Sequence, residues 1–221
     1  MAAANKSNFS EKPLIYLITD GATTVENYSE NKTKILSLIN IAVETKISLI
    51  QIREKQLSAR MLFELASEAV KLTKNSATKL LINDRADVAL AANADGVHLT
   101  SKSLSTAVIK RNFPKNFIVG VSTHTFEKAV KSQQQGADFI TFSPIYYSPH
   151  KGEPQGIGKL NEVCERLNPF PVLALGGIDG TNFADVLDSG ASGFAAIRFL
   201  NDESSLRKLS EEIRKSQNPE R

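Results

Sequence analysis

The stretch S-L-I-Q-I-R-E-K at residues 48–55 shows the pattern that decides the fold. An apolar segment of strand length ends in charged residues, which is typical of a buried strand whose end reaches a polar region. The same change from an apolar segment to polar residues recurs along the whole chain. The eight predicted strands are residues 14–18, 48–52, 79–82, 96–99, 117–121, 139–142, 171–175 and 193–197.

Helical patterns separate these strands. Residues 33–44 place Ile35, Leu38 and Ile39 on one face, as in a helix that packs on a sheet. Eight strand-and-helix units in succession predict an α/β fold, a single-domain (β/α)8 TIM barrel, whose active site lies at the carboxyl ends of the strands. Further helices are predicted after the N-cap candidate Ser58 and at residues 85–92, 105–112, 125–135, 158–167, 181–189 and 202–216.

The composition limits the classes of function. Of the 221 residues 41% are hydrophobic, and the formal net charge is only +3, so one globular domain is expected. Lysines are scattered rather than clustered, so we expect no nucleic-acid partner. We expect no membrane partner and a cytoplasmic location, because no segment resembles a membrane span or a signal peptide. Residues 1–13 are assigned to a flexible leader, 14–217 to the barrel and 218–221 to a tail.

Two cations follow the second strand. Period-two alternation would place Gln51, Arg53 and Lys55 on one side of the chain. A guanidinium and an ammonium group at the mouth of a barrel can bind a diphosphate, since buried charges are costly unless they have a partner. The alternative is a salt-bridge cluster that involves Glu54.

An acid follows the third strand in the sequence I-N-D-R at residues 82–85. Asp84 has the oxygen ligands that Mg²⁺ prefers. It could instead cap the following helix, and this stretch alone does not separate the two roles.

The later strands end in loops that suit a ligand. Gly176 and Gly177 follow the seventh strand, where the lack of Cβ atoms lets backbone N–H groups approach a phosphate. The long loop at residues 143–158 has the composition of a lid or clamp. All three histidines, His98, His124 and His150, lie at strand ends or in this loop and are candidate acid–base groups, although His98 is expected to be structural.

These segments together resemble the thiamine phosphate synthase family, which includes the related thiazole tautomerases. The resemblance extends from Leu14 to about Leu200 and depends on the order of several motifs rather than on any one of them. The motifs are Q-I-R-E-K at 51–55, I-N-D-R-A-D-V-A at 82–89, A-D-G-V-H-L at 94–99, G-V-S-T-H-T at 120–125, G-A-D-F-I at 136–140, S-P-I-Y-Y-S-P-H-K at 143–151 and G-G-I at 176–178.

The resemblance implies a reaction that joins hydroxymethylpyrimidine diphosphate to a thiazole phosphate and releases diphosphate. Its implied partners are these two small phosphorylated substrates, and a homo-oligomer is left open. By the resemblance, Gln51, Arg53 and Lys55 hold the pyrimidine diphosphate, Asn83 contacts it, and Asp84 is a magnesium ligand.

The remaining implied roles belong to the fifth to seventh strands. Ser122 lies beside the pyrimidine, and Ser148 stands where the family usually has threonine. Lys151 contacts the leaving diphosphate. Gly177, with its neighbour Gly176, belongs to the turn that binds the thiazole phosphate.

Two positions depart from the family pattern. Ser103 stands where the resemblance implies a second magnesium carboxylate, so a weakened Mg²⁺ site is expected. Arg198 follows the eighth strand, where the family has a small residue, and it could bind the thiazole phosphate or fill the pocket.

Three functions are compatible with these residues. The first is the synthase. The second is a thiazole tautomerase, a cofactor-free isomerase in which His124 is the implied acid–base group. The third is a ligand-binding barrel without catalytic activity that regulates a partner.

Overall fold

The computed structural model describes Phe9, residues 13–149 and residues 151–217. Eight parallel strands form a closed barrel in chain order, and each pairs with its sequence neighbour, with β1 also paired to β8. The strands are β1 Leu14–Ile18, β2 Leu49–Ile52, β3 Lys79–Asn83, β4 Gly96–Leu99, β5 Ile118–Thr123, β6 Phe139–Phe142, β7 Val172–Leu175 and β8 Gly193–Ala196. The predicted (β/α)8 barrel is therefore confirmed.

Helices follow each strand and surround the barrel. Ser58 caps α2 as predicted, since its Oγ accepts a hydrogen bond from Met61 N at 3.3 Å. Gly136 follows α5 at a φ of 88°, a conformation that glycine adopts without strain. The helices are α1 Tyr28–Glu44, α2 Ala59–Thr73, α3 Ala86–Ala91, α4 Thr106–Asn112, α5 Phe126–Gln134, α6 Gly156–Leu167, α7 Phe183–Asp188, α8 Arg198–Asn201 and α9 Glu203–Gln217.

Two apolar layers hold the strands in place. The larger one lies between the outer faces of the strands and the helices and includes Leu17, Ile39 and Leu65. The smaller one fills the barrel and includes Tyr16 and Phe139, both without solvent exposure. Each strand therefore contributes alternate residues to the two layers, as the pleat of a strand requires.

The ends of the chain are only partly described. Most of the predicted leader and the whole predicted tail lie outside the described residues, but Phe9 packs edge-on against Phe139, with 5.7 Å between ring centroids. Within residues 13–149 and 151–217, no helix combines the length and the apolar character that a membrane crossing requires.

Candidate active site

A cavity of about 1150 Å³ lies at the carboxyl ends of the strands. Pockets for one small molecule are commonly about 300–1000 Å³, so this cavity has room for two small substrates side by side. The structure brings twelve of the candidate site residues to its walls. They are Gln51, Arg53, Lys55, Asn83, Asp84, Ser122, His124, Ser148, Lys151, Gly176, Gly177 and Arg198.

The β2 end carries cations that have no carboxylate partner. Strand β2 ends at Ile52, so the expected alternation does not continue to Arg53 and Lys55, and Gln51 lies deeper, with 1% of its surface exposed. In the described part of the chain, neither Arg53 nor Lys55 forms an ion pair. Both cations nevertheless line the cavity, where an anionic ligand can reach them.

Glu54 forms no ion pair with these cations in the described residues, and it organises the loop before α1 instead. Its carboxylate is 3% exposed and accepts hydrogen bonds from Thr19 Oγ1 at 2.5 Å, Gly21 N at 3.3 Å and Thr23 N at 3.0 Å. The salt-bridge cluster with Glu54 is therefore wrong as an explanation of Arg53 and Lys55. Thr19 Oγ1 also accepts a hydrogen bond from Arg53 N at 2.8 Å, which fixes the backbone that carries the guanidinium group.

The surroundings of Lys55 are strongly positive. Burial lowers the pKa of Lys55, and the nearby cations Arg53, Lys151 and Lys102 lower the pKa further, whereas Asp84 raises it. Four cations around one carboxylate leave an excess of positive charge. Such a cluster is suited to bind an anion with several charges.

Asp84 does not cap helix α3. The cap position belongs to Arg85 and forms no side-chain cap bond, so the capping interpretation is wrong. Instead, Asp84 Oδ1 accepts hydrogen bonds from Thr100 N at 3.2 Å, from Thr100 Oγ1 at 3.0 Å and from Ser103 Oγ. Asp84 Oδ2 accepts one hydrogen bond, from Asn83 Nδ2 at 3.1 Å.

The donor set decides how a metal ion could bind here. In the described residues, no group of three histidine, cysteine or acidic side chains could hold one. The three donors on Asp84 Oδ1 occupy that oxygen, while Oδ2 keeps a lone pair that a cation can use. These residues fit a cation shared with a substrate diphosphate, and they do not fit a cation held by the protein alone.

A buried polar chain forms the floor of the cavity. Gln51 Nε2 donates a hydrogen bond to Tyr16 Oη at 2.8 Å, and this hydroxyl lies 3.1 Å from His98 Nδ1. His98 Nε2 is 2.9 Å from Ser122 Oγ. Burial lowers the pKa of His98 to about 4, so the ring is neutral at pH 7.

His124 lies in a different setting at the edge of the same cavity. Its Nδ1 is 2.8 Å from the carbonyl oxygen of Ser143. A carbonyl oxygen only accepts hydrogen bonds, so the neutral ring carries its hydrogen on Nδ1 and leaves the lone pair on Nε2. Such a nitrogen can accept a proton from a ligand. His150 lies outside the described residues.

The two glycines after β7 support the loop that follows β6. A Cβ atom on Gly176 would lie 2.9 Å from Pro144, and one on Gly177 would lie 2.5 Å from the carbonyl oxygen of Tyr147. The loop backbone also pairs with this turn, since Tyr146 N donates to the Gly176 oxygen at 3.0 Å. A side chain at either position would therefore push the loop after β6 away from the end of β7. In the described residues the N–H of Gly177 also forms no hydrogen bond, so a ligand can use it.

Arg198 begins α8, a single helical turn that is not among the predicted helices. Its side chain is exposed and lines the cavity beside the Gly176–Gly177 turn. No ion pair within residues 13–149 and 151–217 involves Arg198, so its charge is available to a ligand.

Sequence reasoning assigned no role to three residues that shape this site, and it assigned the wrong partners to Glu54. Tyr16 lies within the apolar run L-I-Y-L-I, and Thr19 and Thr100 lie outside the motifs of the resemblance. Glu54 was the one clue to these contacts in the sequence. An acid that is buried beside a strand end requires hydrogen-bond donors nearby, and Thr19 is one of them.

Comparison with known proteins agrees with this geometry. The family described as thiamine monophosphate synthase matches residues 15–200. A protein of Aquifex aeolicus, provisionally named thiamine-phosphate synthase 2, is 44% identical over 85% of this chain and 97% of its own length. The thiamine-phosphate synthase of Caldanaerobacter subterraneus subsp. tengcongensis is 35% identical over 82% of this chain and 87% of its own length.

A solved structure extends the likeness from sequence to fold. Thiamine phosphate pyrophosphorylase from Pyrococcus furiosus superposes with a TM-score of 0.77 at 29% identity, over 92% of this chain and 94% of that protein. The match in sequence and fold covers every strand that contributes to the cavity. The chain belongs to the thiamine monophosphate synthase family.

Proposed function

We propose that this protein is a thiamine-phosphate synthase, a transferase that joins a pyrimidine diphosphate to a thiazole phosphate. The observation that carries the proposal is the cluster of cations around Asp84, in which Arg53 and Lys55 have no ion-pair partner in the described residues. In the reaction, the bond between the pyrimidine methylene carbon and the diphosphate oxygen breaks. The thiazole nitrogen then forms a bond to that carbon, and diphosphate leaves with the electron pair.

The cations act on the leaving group. Negative charge grows on the diphosphate as the carbon–oxygen bond breaks, and fixed positive charges stabilise it most at that point. Arg53 can bind two oxygens at once, while Lys55 and Lys151 act as point charges. Lys102 adds a fourth charge in the same field.

Asp84 is the residue that would hold Mg²⁺ together with the diphosphate oxygens. When bound, the cation neutralises part of the negative charge on the leaving group. Ser103 keeps Asp84 in place by a hydrogen bond instead of supplying a second carboxylate. We therefore expect Mg²⁺ to bind weakly to the free protein and more tightly with diphosphate present.

The rest of the cavity is proposed to hold the two rings. Gln51 and Ser122, at the floor, and Asn83 line the part of the cavity that we assign to the pyrimidine. The N–H of Gly177 and the guanidinium group of Arg198 lie at the opposite wall, where a phosphate on the thiazole would have both a hydrogen-bond donor and a charge. Ser148 lies on the loop between these two regions.

A thiazole tautomerase is the second candidate, and His124 is the observation that favours it. Its Nε2 lone pair is free to take a proton from a ligand, and Asp84 is satisfied by hydrogen bonds from the protein. An isomerase that moves protons without a metal needs the proton acceptor, and it makes no demand on Asp84 as a metal ligand. The cation cluster favours the synthase, because an isomerase has no leaving diphosphate to stabilise.

The decisive experiment supplies both synthase substrates, with Mg²⁺ or with a chelator, to the wild type, Ser103→Asp and His124→Asn. We expect thiamine phosphate to form only with Mg²⁺, and Ser103→Asp to lower the Mg²⁺ concentration needed. Arg60→Ala, on the exposed face of α2, is the control variant.

Other outcomes identify the other functions. Isomerisation of a thiazole carboxylate phosphate that persists with chelator and disappears in His124→Asn would establish the tautomerase. Binding of the pyrimidine diphosphate without any reaction would favour the regulatory barrel. A cytoplasmic location remains a prediction from the sequence, and the sequence leaves a homo-oligomer open.

A further inference from the structure

The polar chain on the cavity floor consists of hydrogen bonds whose directions depend on one another. Tyr16, Gln51 and His98 come from three different strands and are exposed by 0%, 1% and 2%. Water is thus excluded from the links between them. Gln51 and Ser122 are the two ends of this hydrogen-bonded polar chain. Both residues line the cavity, so a ligand can contact both ends at once.

Each link constrains the next because the members have few hydrogens. The Tyr16 hydroxyl has one hydrogen, and a neutral imidazole has one donor nitrogen and one acceptor nitrogen. If Gln51 donates to Tyr16, then Tyr16 donates to His98 Nδ1 and His98 Nε2 donates to Ser122. The Ser122 hydroxyl then has its hydrogen free for the ligand, and Gln51 presents its oxygen.

The reverse arrangement changes every link. If the Gln51 amide turns over, its oxygen accepts from Tyr16, Tyr16 accepts from His98 Nδ1, and His98 Nε2 accepts from Ser122. Gln51 then presents its amide hydrogens to the cavity, and Ser122 presents a lone pair. Only these two arrangements satisfy all the buried groups, and buried groups without a partner are costly.

We propose that Tyr16 and His98 are positioning residues that couple Gln51 to Ser122, so that the floor accepts a ring with one hydrogen-bond donor and one acceptor. This inference deepens the proposed function, on which its choice of ligand rests. A 4-aminopyrimidine edge, with an amine that donates and a ring nitrogen that accepts, satisfies the arrangement in which Gln51 presents its oxygen. A ring edge with two acceptors satisfies neither arrangement.

The packing around His98 holds its ring in place within the hydrogen-bonded chain from Gln51 to Ser122, which we call the relay. A Cβ atom on Gly120 would lie 2.8 Å from His98 Nδ1 and 2.3 Å from the Phe139 ring. Only glycine therefore leaves room for the imidazole at this position. The Phe139 ring in turn contacts both Tyr16 and His98, with centroid distances of 5.5 and 5.9 Å.

The test compares two ligands: the 4-aminopyrimidine diphosphate and an analogue in which a methoxy group replaces the amine. Wild type should bind the amine roughly 10- to 100-fold more tightly, since one buried polar contact is mismatched in the analogue. In Tyr16→Phe the two ends become independent, so Gln51 can turn over for the methoxy oxygen while Ser122 still donates. The preference should then fall to about threefold or less.

Ser122→Ala gives a second measure that does not depend on the folding of the Tyr16 variant. If the ends are coupled, loss of Ser122 frees Gln51 to turn over, and the preference for the amine also disappears. If Gln51 recognises the amine without Tyr16 and His98, the wild-type preference for the amine persists in both Tyr16→Phe and Ser122→Ala. That result would overturn the proposal. Tyr28→Phe, whose hydroxyl donates to Met61 O far from the floor, should keep the wild-type preference.

Nitrogen NMR of the free protein separates the relay from the proposed function. Tyr16→Phe should shift the Nδ1 signal of His98, and Tyr28→Phe should not. An unchanged His98 signal in Tyr16→Phe would overturn the relay. Failure of the wild type to bind the aminopyrimidine would instead overturn the proposed function, and with it the choice of ligand.

Discussion

The floor and the rim of the cavity bind by different physical means. The floor, formed by Gln51, Tyr16, His98 and Ser122, is neutral and mostly buried, and its groups are joined by hydrogen bonds. The rim carries Arg53, Lys55, Lys102 and Lys151 around Asp84, and most of these groups reach solvent. Of the two histidines that the structure describes, His98 lies in the floor and His124 lies at the rim with an exposed side chain.

The difference shows how recognition and affinity are divided. In the buried floor, the strength of each hydrogen bond depends on whether the ligand offers a donor or an acceptor there. These hydrogen bonds therefore discriminate between similar rings. Charges at a partly wet rim attract any suitable anion and depend on ionic strength. Changes in the floor should therefore alter stability and selectivity, and changes in the rim should alter affinity for diphosphate.

The largest expected effect is a loss of stability in acid that comes from the floor. Burial lowers the pKa of His98 from 6.5 to about 4, so the unfolded chain takes up a proton at a higher pH than the folded one does. The contribution of the neutral His98 ring to the free energy of unfolding is complete above about pH 6.5. It is lost as the pH falls from about 6.5 to about 4. This loss should be on the order of 3 kcal/mol in the free energy of unfolding.

Denaturant unfolding at several pH values measures this effect. His98→Gln should flatten the dependence on pH in that range, whatever its effect at neutral pH. Tyr28→Phe serves as the control and should keep the wild-type slope, because burial raises the pKa of Tyr28 above its ordinary value near 10, far from this pH range. Equal slopes for wild type and His98→Gln would show that the floor histidine is not the group responsible.

The next effect belongs to the rim. Arg53→Ala should remove a charge-assisted contact of about 1.5–3 kcal/mol, which is roughly a 10- to 150-fold rise in the Kd for diphosphate. The melting temperature should stay close to that of wild type, because Arg53 has no ion-pair partner in the described part of the chain. Calorimetric titration with diphosphate at two salt concentrations checks both points. Unchanged affinity in a folded variant would remove Arg53 from the anion site.

A smaller effect is expected at Gly177, which joins the rim to the loop after β6. Gly177→Ala would place a Cβ atom 2.5 Å from the Tyr147 carbonyl oxygen in a residue with a φ of 67°. The conformation alone costs about 1–2 kcal/mol for a residue other than glycine. Weaker binding of the thiazole phosphate should accompany this loss, since the loop must shift.

Gly158→Ala is the matched control, because its position in α6 has no atom within 4 Å of an added Cβ. Alanine is favoured over glycine in a helix, so this variant should gain up to about 1 kcal/mol. Thermal unfolding of both variants tests the contrast. If both lose the same stability, the close contact at Gly177 is not the cause.

The sequence predicts the barrel well because each strand is a short apolar run that ends in polar residues. The predicted β1, β4 and β6 have the observed bounds, and the other five strands differ by one or two residues at one or both ends. Helix α8 was missed, since its four residues are too few to show a helical period.

The rim was also more predictable than the floor. Arg53, Lys55 and Asp84 are charged residues that follow apolar strands, so their position alone suggests a role. Tyr16 lies inside an apolar strand, and its contact with Gln51 spans 35 residues of sequence. The polarity of a hydrogen-bonded chain depends on such distant contacts, and no local pattern encodes it.

Phe9 connects the far end of the barrel to the chemistry at its mouth. Its ring packs on Phe139, and Phe139 in turn contacts Tyr16 and His98. A chain shortened to begin at residue 13 would keep every described residue that lines the cavity, yet it would lose the ring that packs on Phe139. For protein engineering, we therefore expect the loss of Phe9 to alter ligand selectivity, although Phe9 precedes β1 and is not among the residues that line the cavity.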